Sequence, residues 1–379
     1  DVKDVANVIA MLEDGGTNTT WYNRIGGKAG LDFLPFTGLK ISAVISPTYN
    51  FTKGKYFRKQ IPYTYANDPN TVKGYMQNFY TTMLSETRND NYDVTTQLFA
   101  NYEKTFGKHY ITAMLGYEDY YAQWEYLGAS RDQYILTNYP YLNIGPEDYR
   151  DNSGSATEYA YRSFFGRLTY SFANKYLLQA NFRRDGSSRF AKENRWANFP
   201  SFSAGWVASE ENFIKNLNWN WLSYLKVRGS WGTLGNERIG SYYPYQAALN
   251  FGSALFHNGT DIVSTTTAAQ QYYAVRNISW ETTETWDIGL DANFLNGRLR
   301  FTGDFYKKKT KDMLLSLEIP KFVGYDNPSV NAGKMHTTGY DLEFGWNDHV
   351  GDFNYSITAN FSDFVSKMGD LNGTEFIGD

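Results

Sequence analysis

Along the stretch from Glu284 to Tyr306, apolar and polar positions alternate strictly. Trp286, Ile288, Leu290, Ala292 and Phe294 fall on one parity, and Thr285, Asp287, Gly289, Asp291 and Asn293 on the other. After an Asn296-Gly297 pair the pattern resumes, with Leu299, Phe301, Gly303 and Phe305 set against Arg300, Thr302, Asp304 and Tyr306. Side chains alternate across a strand, so the stretch predicts a hairpin with a tight turn, one apolar face and one charged face. In a soluble sheet a second layer must cover the apolar face. In a membrane barrel that face meets lipid, and the charged face lines a wet lumen.

The same pattern recurs. Ile25 to Phe33 pairs with Leu39 to Ile45 across a turn at Pro35 to Gly38, and Tyr92 to Tyr102 pairs with Ile111 to Tyr117 across Phe106-Gly107-Lys108. Phe164 to Tyr170 meets Leu178 to Phe182 across Phe172 to Lys175, and Phe202 to Ala208 meets Leu225 to Trp231 across a longer link, Ser209 to Trp221. Tyr340 to Trp346 meets Phe353 to Phe361 across Asp348 to Asp352. This predicts about twelve antiparallel strands, with helix confined to short pieces. Links inside each hairpin are short. Links between hairpins are long, polar and aromatic: Pro47 to Asn91, Ala122 to Glu158, Arg184 to Asn198, Thr233 to Thr283 and Lys307 to Lys334. Strict short–long alternation puts every long loop at one end, the layout of outer-membrane barrels. A sandwich has short turns at both ends, and no blade repeat of a propeller is visible.

Composition narrows the classes further. Among 379 residues there is no cysteine, which excludes disulfides, thiolate metal sites and a cysteine nucleophile. The four histidines (His109, His257, His336, His349) have no ligand spacing, so no metal or cofactor is expected. A net charge of -4 argues against nucleic acid as a partner. No apolar run reaches the ~20 residues of a membrane helix, which leaves barrel strands of ~9–11 residues open. Aromatics make up 18% of the chain, and Trp206, Trp219, Trp221, Trp231, Trp286 and Trp346 fall near strand ends, as in an interfacial girdle. Core aromatics of a soluble β-protein are the other reading of these tryptophans, and the loop asymmetry favours the girdle. The chain opens at Asp1 without a signal sequence, so it reads as mature or as cut from something longer.

From Tyr161 the chain resembles a known family. The runs YRSFFGRLTYSFANKYLLQANFRRDGSSRFAKENRWANFPSFSAGWVASEENFI and LSYLKVRGSWGTLGN closely resemble the SusC/RagA family of TonB-dependent outer-membrane transporters of Bacteroidetes. So do ETTETWDIGLDANFLNGRLRFTGDFYKKKTKDML, VNAGKMHTTGYDLEFGW and NRIGGKAGLDFLPFTGLKISAVIS, and the resemblance spans nearly the whole chain. It implies an all-β, antiparallel transmembrane barrel of 22 strands in the Gram-negative outer membrane, closed by an N-terminal plug preceded by a TonB box. It also implies TonB and a SusD-like surface lipoprotein as partners, and import of glycans or oligopeptides rather than catalysis. No plug-like segment or TonB box is legible, and Leu371 to Asp379 reads as a polar loop. Residues 1–379 are therefore expected to be a partial barrel domain, with plug and C-terminal strands lying outside the chain. A non-transporting surface β-sandwich or lectin-like binding protein is the alternative class.

Candidate sites follow from placement. Loop aromatics are the best ligand candidates, because sugar CH groups stack on rings and rings also anchor peptides. Trp124, Tyr126, Tyr134, Tyr139 and Tyr141 crowd one loop, and Tyr242, Tyr243, Tyr245, Phe251 and Phe256 another; packing of the loops on each other is the equal alternative. The run from Arg183 to Phe190 is the densest polar motif, either a rim contact or a loop held by Arg–Asp pairing, and the second is favoured. Lumen-facing charges include Lys28, Asp32, Glu103, Arg167, Lys226, Arg228, Asp287, Asp291, Arg300, Asp304, Asp341 and Glu343. Their mixed signs suggest cross-strand pairing. Hydrolase signals fail: Gly229-Ser230-Trp231-Gly232 is no nucleophile elbow and lies in a strand. Gly26-Gly27-Lys28 lacks the spacing of a phosphate loop, and Glu147, Asp148 and Asp151 lack calcium-loop spacing. The sequons at Asn354 and Asn360 fall in a strand and read as lumenal polar residues.

Overall fold

A computed structural model describes residues 7–217, 219–270 and 273–369. In chain order the strands are β1 (Gly16–Gly26), β2 (Ala29–Phe36), β3 (Leu39–Arg58), β4 (Pro62–Tyr63), β5 (Gly74–Tyr75), β6 (Met83–Phe106) and β7 (His109–Arg131). Then come β8 (Arg150–Phe172), β9 (Tyr176–Ser187), β10 (Trp196–Val207), β11 (Leu222–Asn236), β12 (Leu249–Asn258) and β13 (Asp261–Gln270). The last are β14 (Glu281–Phe294), β15 (Leu299–Lys311), β16 (Leu314–Ser316), β17 (Ser329–Asn331), β18 (Lys334–Val350) and β19 (Phe353–Met368). Thirteen strands form one sheet in the order β1-β3-β6-β7-β8-β9-β10-β11-β14-β15-β18-β19, with β2 beside β3. The pairs β4/β5, β12/β13 and β16/β17 are separate small hairpins inside the long connections.

The contacts divide the chain into two units. One comprises Asp1–Ala29, Val44–Thr96 and Tyr120–Tyr159; the other comprises Gly30–Ala43, Gln97–Asp119 and Ala160–Asp379. The first has a small core of Phe57, Leu84 and Tyr134, with Leu142 against it. The second buries Phe190, Phe199, Ile239, Ile278 and Trp280, all from strand ends and long connections.

In the second unit the hairpin register carries the apolar parity from strand to strand. One row is Ala204, Gly229, Ile288, Phe305 and Tyr340. The next is Trp206, Val227, Leu290, Gly303, Leu342 and Phe361. These rows are bare: Ile288 is 67% exposed and Phe361 58%. The opposite parity carries the charges. A sheet whose apolar face is uncovered and whose polar face is ion-paired has the polarity of a membrane barrel wall. Cross-strand rings knit the apolar face, with Phe202 stacked on Trp231 at 6.0 Å and Trp231 beside Trp286 at 5.9 Å. At the short-turn end Trp219 stacks on Trp221, and Trp221 lies 5.8 Å from Phe294 with the rings 2° from parallel.

Several sequence expectations need correction. The strands run well past the alternating stretches, so Pro47 to Asn91 is not one loop: β3 continues to Arg58 and β6 begins at Met83. Likewise Trp124 and Tyr126 stand on β7 rather than in a loop. The arm from Ile25 to Phe33 is two strands, β1 and β2, interrupted at Gly27-Lys28 and both paired with β3. The turn after β14 is not a two-residue one: Leu295, Asn296 and Gly297 all take positive φ (53°, 55° and 85°). Leu371 to Asp379 lies outside the described residues.

Candidate functional site

In the first unit the polar parity of β1, β3, β6, β7 and β8 converges on a groove of about 590 Å³. Its walls are Thr20 and Tyr22, Thr52 and Gly54, Thr87, Asn89 and Asn91, Trp124 and Tyr126, and Ser155 and Thr157. Within each strand these residues are two apart, which puts them on one face. The β1–β3 register sets Thr20 opposite Gly54 and Tyr22 opposite Thr52. Gly54 makes room for the wall: a Cβ there would stand 2.4 Å from Thr87 Oγ1. Glu125 also borders the groove, but alternation turns its side chain to the other face, where Gln123 Nε2 donates to its carboxylate at 2.7 Å. The groove thus offers hydroxyls, amides and three large rings, Tyr22, Trp124 and Tyr126, with no ionic partner. Such a surface hydrogen-bonds and stacks on neutral, hydroxyl-rich or amide-rich ligands.

The other aromatic candidates sit differently. Tyr134 is 5% exposed, and its hydroxyl donates to the carbonyls of Tyr141 and Leu142 at 3.2 and 3.3 Å. Burial pushes its phenol above the ordinary tyrosine value. Its ring packs edge-on against Phe57 at 6.1 Å, so this residue holds the 132–149 connection in place. Tyr139 and Tyr141 are exposed, and Lys55 Nζ lies 4.9 Å from the Tyr141 ring. In the second unit Arg189 stacks over Tyr242 at 4.5 Å and donates to the Ile239 carbonyl at 2.8 Å. Tyr243 is 37% exposed, and Gln246 donates to the Tyr245 hydroxyl at 3.4 Å. Phe251 and Phe256 are exposed on β12.

The polar face of the second unit holds two ionic clusters. Arg183 donates through Nε to Asp185 at 2.7 Å and through Nη2 to Tyr161 and Ser163, each at 2.8 Å. Glu118 lies 3.4 Å away, and the Phe165 ring lies 5.0 Å from the guanidinium. Asp185 is 5% exposed and Ser163 fully buried, so the Nε and Nη2 donors of this arginine are spent on the wall. Arg228 donates through Nη2 to Asp304 Oδ2 at 2.8 Å, and its Nη1 lies 2.6 Å from Oδ1 of the same carboxylate as an ion-pair contact. It also reaches Asp291 at 3.2 Å and Asp287 at 3.6 Å, while Lys226 lies 3.7 Å from Asp291. Gly289 lets the guanidinium lie flat across β14. The four sequence-named polar residues Arg183, Asp287, Asp291 and Asp304 thus stand in two separate cross-strand clusters. Hydropathy does not mark the hydroxyl and amide wall of the groove as strand, because Thr52 on β3 and Thr87 and Asn89 on β6 lie where both faces are polar.

A family description, TonB dependent receptor-like, beta-barrel, matches residues 7–378. The chain belongs to that family. It is 31% identical over 376 residues to TonB-dependent receptor SusC of Bacteroides thetaiotaomicron, covering 96% of this chain and 35% of that protein. It is equally 31% identical over 372 residues to TonB-dependent receptor P26 of Formosa agariphila, covering 95% and 35%. The chain therefore spans about a third of the length of the curated relatives it matches. Among solved structures it superposes on a chain of the RagAB peptide transporter with TM-score 0.81 at 25% identity, covering 96% of this chain and 38% of that one. The outer-membrane transporter YddB of Escherichia coli matches with TM-score 0.58 at 11% identity and shares the fold alone. The SusC/RagA resemblance read from the sequence thus holds, as do the antiparallel barrel fold and the outer-membrane location. The family is one of receptors and transporters, not of enzymes.

Proposed function

We propose that this chain is part of the barrel domain of a TonB-dependent importer that takes up glycans. In this reading the plug and the remaining strands lie outside residues 1–379, TonB drives the plug, and a SusD-like surface lipoprotein delivers substrate. The observation that carries the glycan assignment is the uncharged groove. Trp124 and Tyr126 supply stacking faces, and Thr20, Thr52, Thr87, Asn89, Asn91, Ser155 and Thr157 supply neutral donors and acceptors. A neutral oligosaccharide satisfies all of these without leaving a charge unpaired, whereas a peptide's termini would find no ionic partner there. An oligopeptide is the second reading, favoured by the similarity to the RagAB peptide transporter.

The test is calorimetric titration of the complete receptor in detergent with neutral oligosaccharides and with oligopeptides. Trp124→Ala and Tyr126→Ala should each weaken glycan binding by about 0.5–1.5 kcal/mol, up to roughly tenfold in Kd. Binding of peptides alone would replace the glycan reading with the peptide one. A receptor soluble without detergent would instead favour a surface binding protein and remove the importer reading.

A further inference from the structure

The rings of the groove stand at its two sides and not along its floor. Tyr22 lies on β1, and Trp124 and Tyr126 lie on β7. Between them run β3 and β6, which contribute only small or amide side chains: Thr52 and Gly54, then Thr87, Asn89 and Asn91. The β1–β3 register sets Tyr22 opposite Thr52 and Thr20 opposite Gly54. Gly54 lies against Thr87, and Lys55 Nζ lies 3.1 Å from Glu86, so β3 and β6 run in opposite directions and Thr52 falls beside Asn89. The order β1-β3-β6-β7 puts three strand spacings between Tyr22 and the β7 rings, roughly 14 Å along the wall.

Tyr22 is 80% exposed. Alternation turns its neighbour Trp21 to the opposite face, where Lys53 Nζ lies 5.3 Å from the indole. Of the two adjacent rings, only Tyr22 therefore faces the groove. The charges of the two middle strands also face away. Lys53, Lys55, Glu86 and Arg88 hold the other parity, and Glu86 is engaged there by Lys55 at 3.1 Å and Arg88 at 3.2 Å. The floor between the rings is thus neutral, and at Gly54 it is bare backbone.

A ring face fixes one sugar residue in place, whereas hydroxyls and amides bond to a chain without fixing any one of its rings. A disaccharide is too short to touch platforms set this far apart. An extended chain reaches both: one residue stacks on Trp124 or Tyr126, and a residue roughly three glycosidic steps further on stacks on Tyr22. Its middle residues cross Thr52, Asn89 and the bare Gly54, where the missing side chain lets the chain approach the strand. We infer that the groove selects by length, taking extended neutral oligosaccharides of at least about four residues held by rings at both ends. This selection, which rests on the glycan reading above, makes Tyr22 a specificity-determining residue.

The experiment is calorimetric titration of the complete receptor in detergent with linear cello-, xylo-, manno- and malto-oligosaccharides, each from two to six residues long. In whichever series binds, affinity should step up several-fold, to roughly tenfold, as the chain reaches four residues, and change little beyond that. Tyr22→Ala should remove the step, and Tyr22→Phe, which keeps the ring, should restore it. Heat-modifiable migration on gels checks that each variant is folded. A disaccharide bound as tightly as a tetrasaccharide would overturn the inference. So would a loss in Tyr22→Ala that is equal at every length, the sign of a ring that only packs the wall. Binding at no length in any series would instead remove the glycan reading beneath it.

Discussion

A methyl group at position 289 would stand 2.5 Å from Arg228 Cζ and 2.5 Å from Asp304 Oδ1. Glycine is therefore required there by close approach, because the guanidinium crosses β14 to reach Asp304 on β15. Gly289→Val should expel the arginine and leave Asp304 partly unpaired on the wall, lowering stability by about 1–3 kcal/mol. Gly229→Ala is the control: a Cβ there meets only the Asp287 carbonyl at 3.7 Å, and the change should be nearly silent. Thermal midpoints of heat-modifiable migration separate the two. Glu211, in the turn after β10, carries a second residue-scale prediction. Tyr176 donates to its carboxylate, as do Trp206 Nε1 at 3.3 Å and Lys175 Nζ at 3.3 Å. Foremost through the Tyr176 bond, these hold the carboxyl below the usual carboxylate range. The clasp is thus fully formed above the ordinary carboxylate pKa and is lost as pH falls through the depressed folded value. Trp206 fluorescence should step in that acid window, and Glu211→Gln should abolish the step. A pH-independent signal in the unsubstituted protein would refute the clasp.

At the scale of elements, the β8–β9 turn shows what a hairpin demands of its sequence. In the three-residue connection from Ala173 to Lys175, Ala173 and Asn174 both take positive φ, 53° and 57°. Asparagine tolerates that region and alanine does not, so Ala173→Gly should stabilise the hairpin by about 0.5–1 kcal/mol and Ala173→Val should destabilise it. An unchanged melting midpoint in both variants would show that the turn relaxes freely. The pattern that disclosed this hairpin was alternation, and it disclosed the five others too, because lipid on one side and ions on the other force each successive side chain to differ. Where strands leave the band, both faces are polar. On β3, Lys53 and Lys55 stand on one parity and Thr52 on the other; on β6, Arg88 and Asp90 oppose Thr87 and Asn89. The ladder of backbone hydrogen bonds continues through these residues, but hydropathy no longer encodes it. The strand ends, and with them the groove around Trp124 and Tyr126, were therefore illegible as strand, although the two rings were picked out by chemistry. Tyr134 misled for the opposite reason: a buried tyrosine in a polar, aromatic connection has the same local sequence as an exposed one.

For the whole molecule, the decisive property is that one face of the sheet is apolar, continuous and uncovered while the other is ion-paired. Burial by a second sheet would have closed the rows of Ile288 and Leu290, yet Ile288 is 67% exposed and Phe305 48%. Lipid is the solvent that makes such a face stable, and a bilayer discriminates between the faces far more sharply than water does. Lysine is the probe. Ile288→Lys places an ammonium on the lipid side near the middle of the band, where the cost is about 2–4 kcal/mol. Thr302→Lys, on the facing strand but the opposite parity, sets the same ammonium between Asp291 and Glu343 in the register and should be neutral or mildly stabilising. Both variants belong in the complete receptor, refolded into bilayers and titrated with denaturant. A large loss confined to Ile288→Lys is the expected result. If both lysines were tolerated alike, the apolar rows would not face hydrocarbon.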